Sequence, residues 1–298
     1  IEELKMEGSN TNIDLNDIYE NLKQFTNLKH ERLKNNTKNI NEILVGAYGL
    51  NGLIDTNVSD KGITISKIVD FKKDVDKKNV YCFDKRQVIV SLISYFVGCL
   101  FGRYSLKHKG IMLAGNNSLF EEYDNFKPVE DNVILITDQS VVSEDIVTKF
   151  IEFVKSAFGE EKLETNLQFI STALDERGGS PQEIIRNYFV SEFYIDHKNT
   201  YSFKGAGKMP IYWLYDSGKQ NGFKALIYMH RYNEDTTGKV RVDYLHQAQK
   251  AYERTIANLQ EEMVNSKDAR EITQIQKKIE KLTKQLKECK EYDERLGH

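Results

Sequence analysis

The sequence predicts an α+β protein, a mixed helical and small-sheet region with long amphipathic helices at both ends, the C-terminal one a coiled-coil-like hairpin. Three observations carry that prediction. Apolar residues recur three or four apart near both ends of the chain, and short aromatic and β-branched runs bounded by turn residues occupy its middle. With 298 residues, 40% of them hydrophobic, the chain is also long enough to bury a substantial core. The expected organisation is an N-terminal helical arm over 1–60, a mixed α/β region over 61–241, and a C-terminal helical hairpin over 242–298.

Taken in order, Leu15, Ile18, Leu22, Phe25, Leu28 and Leu33 space a helix over about 15–46, ended by Gly49 and Gly52 in YGLNGLIDTNV. GITISKIV alternates as a short strand, and Lys72 to Lys78 reads as a charged loop. VIVSLISYFVGCLFG, between Arg86 and Arg103, is shorter than the ~20 residues a membrane span needs. It is expected to form a buried helix over 87–101, with Gly102 as its C-cap and no membrane contact. NVILITD is a compact strand. Ser143, Glu144 and Asp145 open an amphipathic helix that Gly159 stops, a further helix covers 161–174, and Pro181 starts another through about Phe193.

IYWLY and FKALIYMHRY, joined by DSGKQNG, predict a β-hairpin with a longer than minimal loop. Alternation along its second strand would place Leu226, Tyr228, His230 and Tyr232 on one face, and Phe223, Ala225, Ile227, Met229 and Arg231 on the other. From about Val242 the pattern is helical again. Tyr252, Ile256, Leu259 and Met263, then Ile272, Ile275, Ile279, Leu282 and Leu286, form a heptad-like seam broken at NSKDAR. The stripe of the first helix could join this hairpin and bury all three seams.

Charge is unevenly placed. Residues 200–298 hold 18 Lys and Arg against 14 Asp and Glu, residues 1–199 hold 24 against 31, and 120–165 alone carry 12 acids and 4 bases. A polyanion would therefore meet the C-terminal part. Cys82, Cys99 and Cys289 are odd in number and form no CxxC pair, which argues for a reducing, cytoplasmic setting and against a zinc site. The start has no signal-peptide pattern, and Ile1 in place of Met suggests a piece of something longer.

Gly205 to Lys208, GAGK, lacks the spacing and the following helix of a phosphate loop, and Met209 and Pro210 follow it. His230 and His246 lack metal-ligand spacing, so no metal is expected. No catalytic motif, methyltransferase box or S-adenosylmethionine loop stands in the chain. The hairpin over 204–233 is different. It holds the only tryptophan, four tyrosines and six basic residues counting His230, against the single acid Asp216. Basic side chains there could neutralise phosphates while aromatic and imidazole rings meet sugars or bases; equally, aromatic strands usually form core.

ISYFVGCLFGRYSL, INEILVGAYGL, DIVTKFIEFVKSAFGEE and above all MPIYWLYDSGKQNGFKALIYMHRYNEDTTGKVRVDYL resemble the C-terminal half of the PglX family. These are the adenine-specific DNA methyltransferases of BREX phage-defence systems, related to type IIG restriction-modification enzymes, and the resemblance runs from about residue 15 to 260. It implies that an S-adenosylmethionine-binding methyltransferase domain precedes this region in the same parent chain. This region would then be the target-recognition part that binds duplex DNA, its C-terminal helices being similar to specificity-subunit spacers. Met209 stands where the family usually has arginine, which removes one guanidinium.

Lys204, Lys208, Lys219 and Lys224 are then the expected phosphate contacts, with His230 or Arg231 as base-edge readers. Arg103 is a second phosphate contact or a cap for the carbonyls of its helix, and Trp213 and Tyr215 are packing support. The alternative is a protein-interaction scaffold that docks other defence-system subunits or phage inhibitors through its helical arms and acidic middle.

Overall fold

A computed structural model describes residues 12–60, 63, 69–73, 79–112, 126–138, 145–175, 179–203 and 207–297. The chain divides into two compact units, Ile1–Leu92 and Ile93–His298.

In the first unit, α1 (Leu15–Ala47) starts where the Asp14 carboxylate accepts the Asn16 N–H and stops at Gly49, whose φ is +67°. Its first turns bury Leu15 and Tyr19. The expected burial of its whole stripe is not found, for Phe25, Leu28 and Leu33 are 48%, 71% and 42% exposed, and Ile40, Ile43 and Leu44 are exposed as well. β1 (Val69–Lys73) and β2 (Asn79–Phe83) pair antiparallel, with Asp70 opposite Cys82. The expected strand GITISKIV lies outside the described residues except for Ile63 and Val69. Part of the expected charged loop is strand instead, since Lys72 and Lys73 belong to β1. The unit boundary falls inside α2 (Lys85–Leu100).

The second unit contains the C-terminal half of α2, where Ile93, Phe96, Val97 and Leu100 are buried. The helix ends at Gly102, φ +76°, whose N–H reaches the Cys99 carbonyl. Among the described residues no helix is long and apolar enough to cross a membrane. β3 (Val133–Ile136) leads to α3 (Ile146–Phe158), α4 (Leu163–Leu174), α5 (Pro181–Ser191) and α6 (Phe193–Thr200). Phe150 and Phe153 of α3 meet Phe96 at ring distances of 4.9 and 5.3 Å. A small ribbon follows, β4 (Ser202–Phe203) with β5 (Gly207–Lys208).

The predicted hairpin forms as β6 (Tyr212–Asp216) and β7 (Lys224–Tyr228), with Trp213 opposite Ile227. β7 is nevertheless the centre of a three-stranded antiparallel sheet, because β3 pairs with its other side, Leu135 opposite Ala225. The expectation of one core face and one tyrosine-bearing open face fails. Leu226 and Ile227 are both fully buried and Tyr228 is 4% exposed. A strand covered on both faces reads as a continuous apolar run, which ALIY is. β7 also ends at Tyr228, and Met229–Arg231 turn as 3-10 helix, so His230 and Arg231 do not continue its alternation.

After α7 (Thr236–Lys239) and a π-helical turn over Val240–Leu245 come α8 (His246–Asn265) and α9 (Ala269–Leu296), with Asp268 capping the latter. They form the expected antiparallel hairpin. Its seam closes on the sheet: Tyr252, Leu259, Ile275, Ile279 and Leu282 share one core with Val133, Leu135, Ala225 and Ile227.

Candidate nucleic-acid interface

The loop between β6 and β7, chiefly residues 217–222, is held against α9. The Glu288 carboxylate accepts three hydrogen bonds from it: Ser217 Oγ at 2.7 Å, the Gln220 N–H at 2.8 Å and the Gly222 N–H at 3.1 Å. Partial burial alone would raise this carboxyl, but those donors and the Lys224 charge outweigh it and hold its pKa below the usual carboxylate value. Gln285 of α9 donates to the Gln220 carbonyl at 2.9 Å, Arg295 to that of Ser217 at 3.0 Å, and the Tyr252 hydroxyl of α8 to that of Gly222 at 2.8 Å. Position 222 must be glycine, because a Cβ there would lie 2.5 Å from the Gln285 carbonyl oxygen and 3.0 Å from Cys289 Sγ. The loop backbone is fixed while the side chains of Lys219 and Gln220 remain exposed.

The expected contact residues divide into three groups. Lys208, Lys219 and His230 are exposed; Lys208 sits on the β4–β5 ribbon, and His230 stands edge-on to the Tyr228 ring at 5.2 Å. Lys224 and Arg231 are engaged internally. Lys224 Nζ donates to the Val190 carbonyl at 2.9 Å and lies 3.6 Å from Asp216 with its side chain 12% exposed, while Arg231 bonds the carbonyls of Val129 and Glu130, each at 2.9 Å. Lys204 lies outside the described residues. Trp213, expected as packing support, is 43% exposed on the edge strand, with its ring 5.6 Å from that of Tyr232; Tyr215 does pack against the core below the sheet.

Arg103, expected as a phosphate contact or a cap for its helix, is held by tyrosine hydroxyls. It lies just beyond the end of α2, and its guanidinium donates to the hydroxyls of Tyr104 at 3.2 Å and Tyr228 at 3.3 Å. Burial would lower its pKa, but these hydroxyls and the neighbouring Tyr201 raise it further, so the charge is permanent. Behind this group His197 is buried, its Nε2 accepting the Tyr212 N–H at 3.2 Å and its ring stacked on Tyr212 at 4.5 Å. Burial, helped by the Arg103 charge, lowers its pKa to about 4, which keeps it neutral.

Reasoning from sequence missed Glu288, Gln285, Tyr252 and Arg295, whose partners are 30 to 78 positions distant. One signal was present. Glu288 is the acid on a side of α9 otherwise occupied by Arg270, Lys277, Lys281, Lys284 and Arg295, and an acid so placed needs donors from elsewhere.

No family model matches the chain. It is 37% identical over 273 residues to the adenine-specific methyltransferase PglX of Lacticaseibacillus casei (strain Zhang), covering 91% of the chain and 21% of that protein. It is 32% identical over 289 residues to the adenine-specific methyltransferase BrxX of Escherichia coli O9:H4 (strain HS), covering 92% of the chain and 23% of that protein. The chain thus spans about a fifth of the length of these relatives. Along nine-tenths of its length the chain is thus similar, as one segment, to the adenine-specific methyltransferases PglX and BrxX.

Proposed function

We propose that this chain is the target-recognition part of a site-specific N6-adenine DNA methyltransferase acting in BREX-type phage defence. The observation that carries the reading is the similarity to two adenine-specific methyltransferases along nine-tenths of the chain. An enzyme of that class turns an adenine out of the duplex and must hold the flanking DNA while it does so. The braced loop over 217–222, presenting Lys219 at one end of the β6–β7 hairpin, and exposed Lys208 and His230 toward the other end support this segment as the holding surface, with Arg103 as a further cation. S-adenosylmethionine is expected in the parent enzyme. Its binding is assigned to the part of the relatives' length that this segment does not span.

Electrophoretic shift of duplex DNA at two salt concentrations, with the full-length protein and its Lys208→Glu/Lys219→Glu variant, tests the reading. Weaker, less salt-dependent binding and reduced methylation are expected. Unchanged binding and methylation would remove the hairpin from DNA contact. A second reading, a docking scaffold for other defence-system subunits or phage inhibitors, is favoured by the exposed apolar stripe of α1, including Leu28 and Ile43. Loss of co-purifying subunits in a Leu28→Asp/Ile43→Asp variant that still methylates DNA would establish it.

A further inference from the structure

Five of the basic residues of α9 are gathered along one strip of the helix. At 100° per residue, Arg270, Lys277, Lys281, Lys284 and Arg295 fall on one side, with Lys278 at its edge. Glu291 and Glu280 border that strip, about 20° and 40° beyond Lys284, and Glu294 stands farther round the helix with Lys287 and Lys290. The direction of the basic side is fixed by its bonds. Lys281 Nζ lies 2.6 Å from Asp138, Gln285 donates to Asp138 and to the Gln220 carbonyl, each at 2.9 Å, and Glu288 and Arg295 hold the loop. The basic side therefore runs alongside the 217–222 loop, and Lys277, Lys281 and Lys284 on it are exposed. The acids bordering it have partners: Glu288 the loop amides, Asp138 Gln285 and Lys281, Asp216 the Gly218 N–H and Lys224, Glu280 the Gln276 amide, and Glu291 Lys287.

We propose that this side of α9, chiefly Lys277 and Lys284 together with Lys219 of the loop, binds the sugar-phosphate backbone of duplex DNA. The inference rests on the target-recognition reading and adds to it the surface that fixes the duplex. Lys277 and Lys284 are two turns apart, about 10 Å along the axis, which is roughly three base-pair steps at 3.4 Å per strand. Lysine suits the task as a point charge that makes no directional demand on a phosphate. A membrane surface is not the occupant that fits. The row Gln274, Lys277, Lys278, Lys281, Lys284 and Glu288 contains no apolar residue, and an interfacial helix needs an apolar face to insert. With backbone contacts of this kind setting register, the adjoining loop is left to meet base edges.

The experiment measures duplex affinity against salt for the natural full-length protein, its Lys277→Gln/Lys284→Gln variant, and a Lys287→Gln/Lys290→Gln control farther round the helix. The expected result is a drop of about two in the slope of log affinity against log salt for the first variant, equal for cognate and unrelated duplexes, with the control at the wild-type slope. An unchanged slope in the first variant overturns the stripe while leaving target recognition standing. An equal drop in the control also overturns it, by showing a diffuse charge effect. If the wild-type protein shows no salt-dependent duplex binding, the stripe and the target-recognition reading fall together.

Discussion

The side chain of Asn132 pairs with the backbone of Tyr228 as another strand residue would. Its Nδ2 donates to the Tyr228 carbonyl at 3.0 Å and its Oδ1 accepts the Tyr228 N–H at 3.2 Å, extending the β3–β7 ladder by one rung where β3 itself has not begun. Asn132 stands at φ +62°, a conformation asparagine tolerates better than most residues. Asn132→Gly keeps that backbone and strands two buried polar groups, for an expected loss of about 2 kcal/mol. Asn132→Ala adds the left-handed penalty of about 1 kcal/mol. Urea denaturation measures both, and a wild-type midpoint for the glycine variant would refute the rung.

Glu288 should make loop order depend on pH. Its folded pKa lies below the ordinary value of 4.5, so its contribution is complete above about 4.5 and is lost as pH falls through the lower folded value. Protection of the Gln220 and Gly222 amides from hydrogen exchange, taken relative to the intrinsic rate at each pH, should be high near neutrality and fall in acid. Glu288→Gln should show the low protection at every pH, and Gly222→Ala should do so by displacing the loop from α9. High protection in both variants would mean that Glu288 does not brace the loop.

His197 titrates in the opposite chemical sense but with the same consequence for stability. Unfolded, its pKa is 6.5; folded, burial and the Arg103 charge bring it to about 4. The unfolded chain therefore binds the extra proton between those values. Stability is complete above about 6.5 and falls as pH drops toward 4, by at most about 1.4 kcal/mol per unit for one proton. His197→Gln, which retains an acceptor for the Tyr212 N–H, should flatten the pH dependence of the denaturation midpoint in that window. An unaltered slope would assign the dependence to other groups.

Asp145 joins two jobs in one carboxylate. Oδ1 caps α3 through the N–H groups of Val147 and Thr148 at 3.1 and 3.0 Å, and Oδ2 accepts from Thr137 Oγ1 at 2.8 Å and pairs with Arg186 of α5. Asp145→Ala leaves the Arg186 charge without its carboxylate in a site where the aspartate is 1% exposed, at a cost of about 3–5 kcal/mol. Asp145→Asn keeps the cap acceptor and should cost less. Thermal melts of the two variants check the order, and equal losses would mean that the ion pair adds nothing to the cap.

The helices were legible because their signals are local. Leu15 to Leu33 gave the period of α1, Asp145 and Gly159 bracketed α3, and the 252–263 and 272–286 steps located α8 and α9 with their break. The hairpin was legible for the same reason, through IYWLY, DSGKQNG and ALIY. Its surroundings were not. Nothing near ALIY announces that VILI will lie beside it, and without that third strand the tyrosines of β7 look free to face a ligand. The candidate site follows the same division. Lys219 is exposed in a loop that its own residues predict, whereas the carbonyls that engage Lys224 and Arg231 belong to Val190, Val129 and Glu130, which side-chain patterns do not reveal.

The pairing of β3 with β7 also has a consequence for how the protein is made. VILI leaves the ribosome about ninety residues before the strand that will flank it, a wait on the order of ten seconds at ordinary elongation rates. During that interval its four apolar residues have an open ladder edge, the kind of surface that invites pairing with another chain. The helices from α3 to α6 are synthesised in the same interval, and α3 and α5 come to rest against the existing end of α2 through Phe150, Phe153 and Phe189. Nascent-chain survival should thus depend on how quickly those helices shelter the strand, and charge substitutions on their buried aromatic faces should lower yield before they lower activity.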